Sequence, residues 1–134
     1  MIVDGKQKVY KVDYEVFHCG TAIGFHFIGG KWKSIIIWYL RHGALRFSQV
    51  KKLIPDITDK MLSIQLKALH TDGLVEKKVY GSKPPYRVEY WLTEFGQSIL
   101  PVIEKITEWG IAYAEKNGSL MDIEDNIPKG KHLP

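Results

Sequence analysis

The chain has 134 residues, one cysteine and a formal net charge of +4. That length fits one domain with appended arms and is too short for two full cores. Hydrophobic residues at 45% and charged residues at 25% exclude a mostly disordered chain. A single Cys excludes an internal disulfide framework and a Cys-rich zinc site.

The longest uncharged run, Val16–Gly30, is 15 residues long and holds two His and four Gly. It is too short and too broken to span a membrane. Residues 1–14 carry lysines but no apolar core, so no secretory signal is expected and the expected location is cytoplasmic. The charge is uneven. Residues 1–92 hold 15 Lys/Arg and 8 Asp/Glu, a net of +7, and residues 93–134 hold 4 and 7, a net of −3. A basic front and a mildly acidic back point to an anionic partner on one side.

In chain order, residues 8–17 alternate apolar and polar, with Tyr10, Val12, Tyr14 and Val16 on one side, which reads as a strand or an extended arm. Thr21–Ile28 reads as a short helix closed by Gly29-Gly30. Lys31–His42 has helical spacing at Trp32, Ile35, Ile36 and Tyr39, and Gly43 ends it. Leu45-Arg46 is short and extended. Phe47–Ile54 is a helix stopped by Pro55. Thr58 is a candidate N-cap for a helix running to Asp72, with Asp59 in its first turn. Leu62, Leu66 and Leu69 form its buried seam, and Gly73 stands where a C-terminal glycine belongs.

Leu74–Tyr80 and Arg87–Leu92 read as the strands of a hairpin with Gly81–Tyr86 as its long tip. Thr93 caps a last long helix to about Asn117, with a kink or break expected at Pro101. From Ser119 onward the sequence is polar and aperiodic, a loosely ordered tail. The domain organisation is thus an arm over 1–18, a domain over 19–117 and a tail over 118–134. The fold class is α+β, mainly α. Helices followed by a two-stranded hairpin and a long C-terminal helix are the order of a winged helix-turn-helix.

Six ordered blocks then carry a family pattern. They are Cys19 with Ile28-Gly29-Gly30-Lys31-Trp32; Arg46-Phe47-Ser48-Gln49-Val50; Lys60-Met61-Leu62; Asp72-Gly73-Leu74-Val75; Pro84-Pro85 with Val88–Gly96; and Glu108-Trp109-Gly110. The chain resembles the HxlR-type winged-helix transcription regulators of the MarR-like superfamily over residues 19–110. Three positions depart from that pattern. Gly20 stands where Pro usually follows the Cys, Tyr86 adds a residue to the wing, and Ile64 replaces a usual polar residue in the recognition helix.

At 100° per residue, Lys60, Ile64 and Lys67 lie opposite Leu62, with Ser63 on the flank. Two Lys, a hydroxyl and an apolar group suit the major groove, where Lys meets phosphate or guanine and Ile a thymine methyl. The resemblance makes this the DNA-reading face, and Thr58 opens the helix. Lys83 at the stiff Pro84-Pro85 tip, with Arg87, is the candidate wing contact. Arg46 and Ser48 begin the preceding helix, which in such regulators crosses the phosphate backbone.

The resemblance further implies a homodimer on inverted-repeat, double-stranded operator DNA. Half-sites would lie one turn apart or more, roughly 34 Å or a multiple. Ile99, Val102, Ile103, Ile106, Trp109 and Tyr113 form a stripe too wide for one small core and are the candidate dimer interface, joined by Thr21–Ile28.

Cys19 precedes a helix and follows His18, both of which favour thiolate. It is the candidate redox or electrophile sensor, against the plainer reading of an inert packed Cys. No cofactor is expected. Gly24 to Trp32 imitates a phosphate loop only loosely, and His18, Cys19 and His26 lack a fourth metal ligand. No HExxH or GxSxG stands in the chain, so an enzyme is not expected. The competing function is a winged-helix protein-interaction module without DNA binding, for which Ile64 and Tyr86 supply apolar surface.

Overall fold

The computed structural model describes residues 1–125. The arm is two small hairpins rather than one strand. Strands β1 (Ile2–Val3) and β2 (Lys6–Gln7) pair antiparallel, as do β3 (Tyr10–Val12) and β4 (Glu15–Phe17). The expected alternation over 8–17 is interrupted because Asp13 takes φ 51° and turns the chain back. Asp accepts the left-handed region more readily than a branched residue does. Asp4 (φ 53°) and Gly5 (φ 74°) make the first turn, a pairing that suits a tight hairpin.

Helix α1 (Gly20–Ile28) follows, then α2 (Lys33–Tyr39), shorter than its apolar run. The run past Tyr39 leaves the helix at Leu40. Arg41 folds over the Trp38 ring, 4.0 Å from its centroid, and donates to the Trp38 carbonyl at 2.8 Å. Strand β5 (Leu45–Arg46) leads into α3 (Phe47–Leu53), and Lys51 at its end donates to the Pro55 and Ile57 carbonyls. Helix α4 (Asp59–Thr71) is capped by Thr58, whose Oγ1 accepts from the Met61 N–H at 3.0 Å. Its other end closes on Gly73 (φ 78°), with Leu74 N–H donating back to the Leu69 carbonyl at 3.0 Å. This is the glycine-terminated helix end that satisfies the last free carbonyls.

Strands β6 (Val75–Tyr80) and β7 (Arg87–Leu92) form the wing, Val75 opposite Leu92 and Tyr80 opposite Arg87. β5 adds to the free edge of β7, Leu45 opposite Tyr90, so the sheet has three strands in the order β5-β7-β6.

The expected single long helix is divided. Thr93 caps the short α5 (Glu94–Ser98), and Ile99 separates it from α6 (Leu100–Asn117). Pro101 falls in the first turn of α6, where its missing N–H has no carbonyl to serve. Thr93 also ties α5 to the α4–β6 turn: its hydroxyl donates to the Gly73 carbonyl at 2.6 Å and its N–H to the Leu74 carbonyl at 3.1 Å. Of the tail expected over 118–134, residues 118–125 run exposed to a single 3-10 turn at Ile123–Asp125, and 126–134 lie outside the described residues.

One core holds these elements together. Ile36, Ile37, Leu40, Val50, Ile57, Leu62, Leu66, Leu69 and Leu74 are fully buried, and Ile103 reaches in from α6. Burying side chains of this size contributes about 1.5–3 kcal/mol each before entropy is counted. This cluster clamps α2, α3 and α4 and leaves one face of α4 outside it.

Candidate nucleic-acid interface

That outer face is set by the helix period. With Leu62, Leu66 and Leu69 locked inside, Lys60, Ser63, Ile64 and Lys67 stand exposed. Ile64 keeps 48% of its surface in solvent, which sets an apolar group beside the two Lys and the hydroxyl. Thr58 does not join them as a free group, because its hydroxyl oxygen serves the Met61 N–H.

Ser63 and Lys67 share a cleft with Lys77 of β6 and Tyr90 of β7. Lys77 is not among the wing contacts expected from the sequence, since strand alternation alone does not say which face meets α4. Burial pushes the Tyr90 phenol up, which keeps it protonated at neutral pH.

A second groove joins the start of α3 to the wing. Arg46 and Ser48 line it with Phe47, Tyr86, Arg87 and Tyr90. The pairing of Leu45-Arg46 with Tyr90 and Glu89 brings Phe47, Tyr86 and Tyr90 beside the basic groups, and no local sequence pattern signals it. The Arg46 N–H donates to the Gln49 side chain at 2.8 Å, which steadies the α3 start and leaves the guanidinium free of that duty. Arg87 is occupied within the wing: its Nε lies 3.7 Å from Glu89 and its guanidinium lies over the Tyr80 ring at 4.8 Å. Lys83 stands exposed at the wing tip beside Pro84-Pro85. Seven of the 15 Lys/Arg of residues 1–92 thus stand on α4, the α3 start and the wing: Arg46, Lys60, Lys67, Lys77, Lys78, Lys83 and Arg87.

On the opposite side, α6 divides the apolar stripe. Ile103 is buried against α2 at 4% exposure, so it belongs to the chain's own core and not to a partner-facing set. Ile99 is half-buried against that core. Val102, Ile106, Trp109 and Tyr113 stay exposed, Trp109 at 75%, with its ring stacked on Tyr113 at 6.2 Å. Val102 and Ile106 form an apolar groove with Thr21, Gly24 and Phe25 of α1.

Cys19 is a free thiol in the N-cap position of α1. The Ala22 backbone N–H lowers its pKa below the ordinary thiol value. Partial burial opposes this, and the Thr21 N–H and hydroxyl add to the lowering. Donors at a helix start favour thiolate.

Known proteins resemble the chain in sequence and fold. The sequence pattern of the HxlR-like helix-turn-helix family matches residues 27–118. The chain belongs to the HxlR-like helix-turn-helix family. Its members are DNA-binding winged-helix transcription regulators. The uncharacterized HTH-type transcriptional regulator YkvN of Bacillus subtilis is 43% identical over 100 residues, covering 75% of this chain and 84% of YkvN. Two solved structures add a theme. The redox regulator HypR in its oxidized form superposes with a TM-score of 0.65 at 37% identity, covering 76% of this chain and all of HypR. Quinone-bound YodB from B. subtilis superposes at 0.58 and 30% identity, covering 69% of this chain and 96% of YodB. The matched region begins at Phe27, after Cys19 and the two hairpins. No described helix is long and apolar enough to cross a membrane.

Proposed function

We propose that the chain works as a homodimer that binds specific double-stranded DNA and regulates transcription from it. The observation that carries the reading is the exposed α4 face, Lys60, Ser63, Ile64 and Lys67, held outward by a leucine seam. In this reading α4 enters the major groove, with Lys67 and Lys77 on phosphates or guanine edges and Ile64 on a thymine methyl. Arg46 and Ser48 meet the backbone, and Lys83 reaches the adjacent minor groove or its phosphates, joined by Arg87 when it exchanges its Glu89 partner for a phosphate. The exposed stripe of α6 and the groove it makes with α1 support pairing of two copies, which sets two α4 helices on an inverted repeat. Cys19 is the redox or electrophile sensor of this reading, supported by its lowered pKa and by the likeness to HypR and YodB. With one Cys per chain, its oxidised products are an intersubunit disulfide, a mixed disulfide or an adduct.

A salt series of gel shifts on DNA upstream of the protein's own gene tests the core of this. Specific binding that weakens steeply with salt supports it, because each neutralised phosphate contributes about −0.9 to the log–log slope. Absence of any shift at low salt, with specific or random DNA, refutes it. That outcome favours instead a protein-binding role for the same face, on which Ile64 and Tyr86 are about half exposed. Diamide should change operator affinity in the native protein and not in Cys19→Ser; an identical response in both removes the sensing role.

A further inference from the structure

A cavity of about 370 Å³ lies where the β3–β4 hairpin folds against the body, apart from the α6 stripe and sharing Thr71 with the cleft that Ser63, Lys67 and Lys77 line. The volume falls in the range of small-molecule sites. Its outer wall comes from residues 12–17, ahead of the family pattern, and its inner wall from α1, the end of α4 and Phe95 of α5.

Two features of the wall converge on one ligand chemistry. The first is a row of rings: Phe17 meets His26 edge-on at 5.3 Å, His26 meets Phe27 at 5.0 Å, and Phe27 meets Phe95 at 5.1 Å. Aromatic faces carry negative charge density and attract cations. The second is the charge of the wall. Asp13 and Glu15 line it from the hairpin, and Asp72 from the end of α4. That helix end presents the negative pole of its dipole. Among the described lining residues the one basic side chain is His26, whose Nδ1 lies 3.8 Å from Glu15. Such a wall repels carboxylates and phosphates and offers a plain hydrocarbon no use for its charges.

We propose that this pocket binds a small organic cation, an aryl- or alkylammonium, with its body against Phe17, Phe27 and Phe95 and its head among Asp13, Glu15 and Asp72. The full chain is titrated with benzyltrimethylammonium, and with benzyl alcohol and benzoate as neutral and anionic comparators, followed by calorimetry and by NMR of the ring signals. The ammonium should bind saturably, about fivefold or more tighter than benzyl alcohol, as one cation–aromatic contact with partial desolvation provides. Benzoate should not bind, and shifts should centre on Phe17, His26, Phe27 and Phe95. Asp13→Asn with Asp72→Asn keeps shape and backbone preference at both positions and should weaken the ammonium about tenfold. Phe95→Leu, at a half-exposed site that tolerates change, should weaken it about threefold. Equal binding of the three probes, shifts scattered over the surface, or full affinity in both variants overturns the proposal.

Discussion

Two substitutions two residues apart on α4 test its orientation. Leu66 is 1% exposed, at the centre of the seam, and Ile64 is 48% exposed on the other side. Leu66→Ala removes three buried carbons, worth about 2.4 kcal/mol in transfer and, with the cavity left behind, about 3–4 kcal/mol in all. Ile64→Ala removes a side chain only half in contact, a loss of about 1 kcal/mol, of which the better helix preference of Ala returns roughly 0.4 kcal/mol. Its net effect on stability is therefore about 0.6 kcal/mol, several-fold smaller than that of its neighbour. Affinity for the operator should respond independently of stability. Losing an apolar contact with a thymine methyl costs about 1 kcal/mol, a factor of about five in Kd. Urea denaturation at fixed protomer concentration reads the first quantity and fluorescence anisotropy with labelled operator the second. The orientation is wrong if Ile64→Ala destabilises as much as Leu66→Ala. The contact is wrong if a folded Ile64→Ala binds with unchanged Kd.

Thr58→Ala deletes the acceptor for the Met61 N–H and should cost about 1 kcal/mol in the same urea assay, while Thr58→Ser should restore most of it. Gly96→Ala would place a Cβ 2.0 Å from the Leu74 carbonyl oxygen and 3.0 Å from its carbon, both backbone, so a loss of about 2 kcal/mol or more is expected; a neutral result would mean α5 moves freely on the α4–β6 turn. Because hydrogen bonding at the α1 start lowers the Cys19 pKa, its iodoacetamide rate should rise with pH through a midpoint below that of an ordinary cysteine and then level off; a midpoint at or above the ordinary value contradicts the geometry. Ile106→Glu puts a charge on the exposed stripe and should shift sedimentation from dimer to monomer without loss of helical signal, whereas a shared sedimentation coefficient for both proteins would remove α6 from the interface.

The parts of the fold that local periodicity controls were legible in the sequence. The spacing of Leu62, Leu66 and Leu69 oriented α4, Thr58 and Gly73 marked its ends, and Pro101 announced a break that falls at Ile99. The hairpins of the arm were not, because the apolar alternation runs on through Asp13 although the backbone there reverses. Nor were contacts between segments distant in sequence. Nothing in the run Leu45-Arg46 says that it pairs with Glu89-Tyr90, and nothing in a strand's period says that Lys77 turns toward Lys67. Hence the candidate site was readable as a helix face and a wing, but its grooves, made of both, were not.

The α6 stripe shows how one helical pattern divides between a chain's own core and its surface. A helical stripe of six apolar residues spans more than one direction, since steps of 100° spread them around the axis. The core of this small domain needs only one of those directions, and Ile103 fills it, with Ile99 beside it at the break. Val102, Ile106, Trp109 and Tyr113 then stay exposed, with nothing among the described residues to cover them. Single exposed apolar residues are ordinary on a protein surface, but a row with two stacked aromatics, continuous with the α1 groove, is a patch. In the proposed dimer a second copy offers the same row by symmetry, and closing the two rows together would place two α4 faces side by side. The positive front and the acidic back of the sequence then have one physical meaning. In the proposed reading the cationic groups of α4, the α3 start and the wing face the duplex, and α6, with three Glu and two Lys, lies away from it.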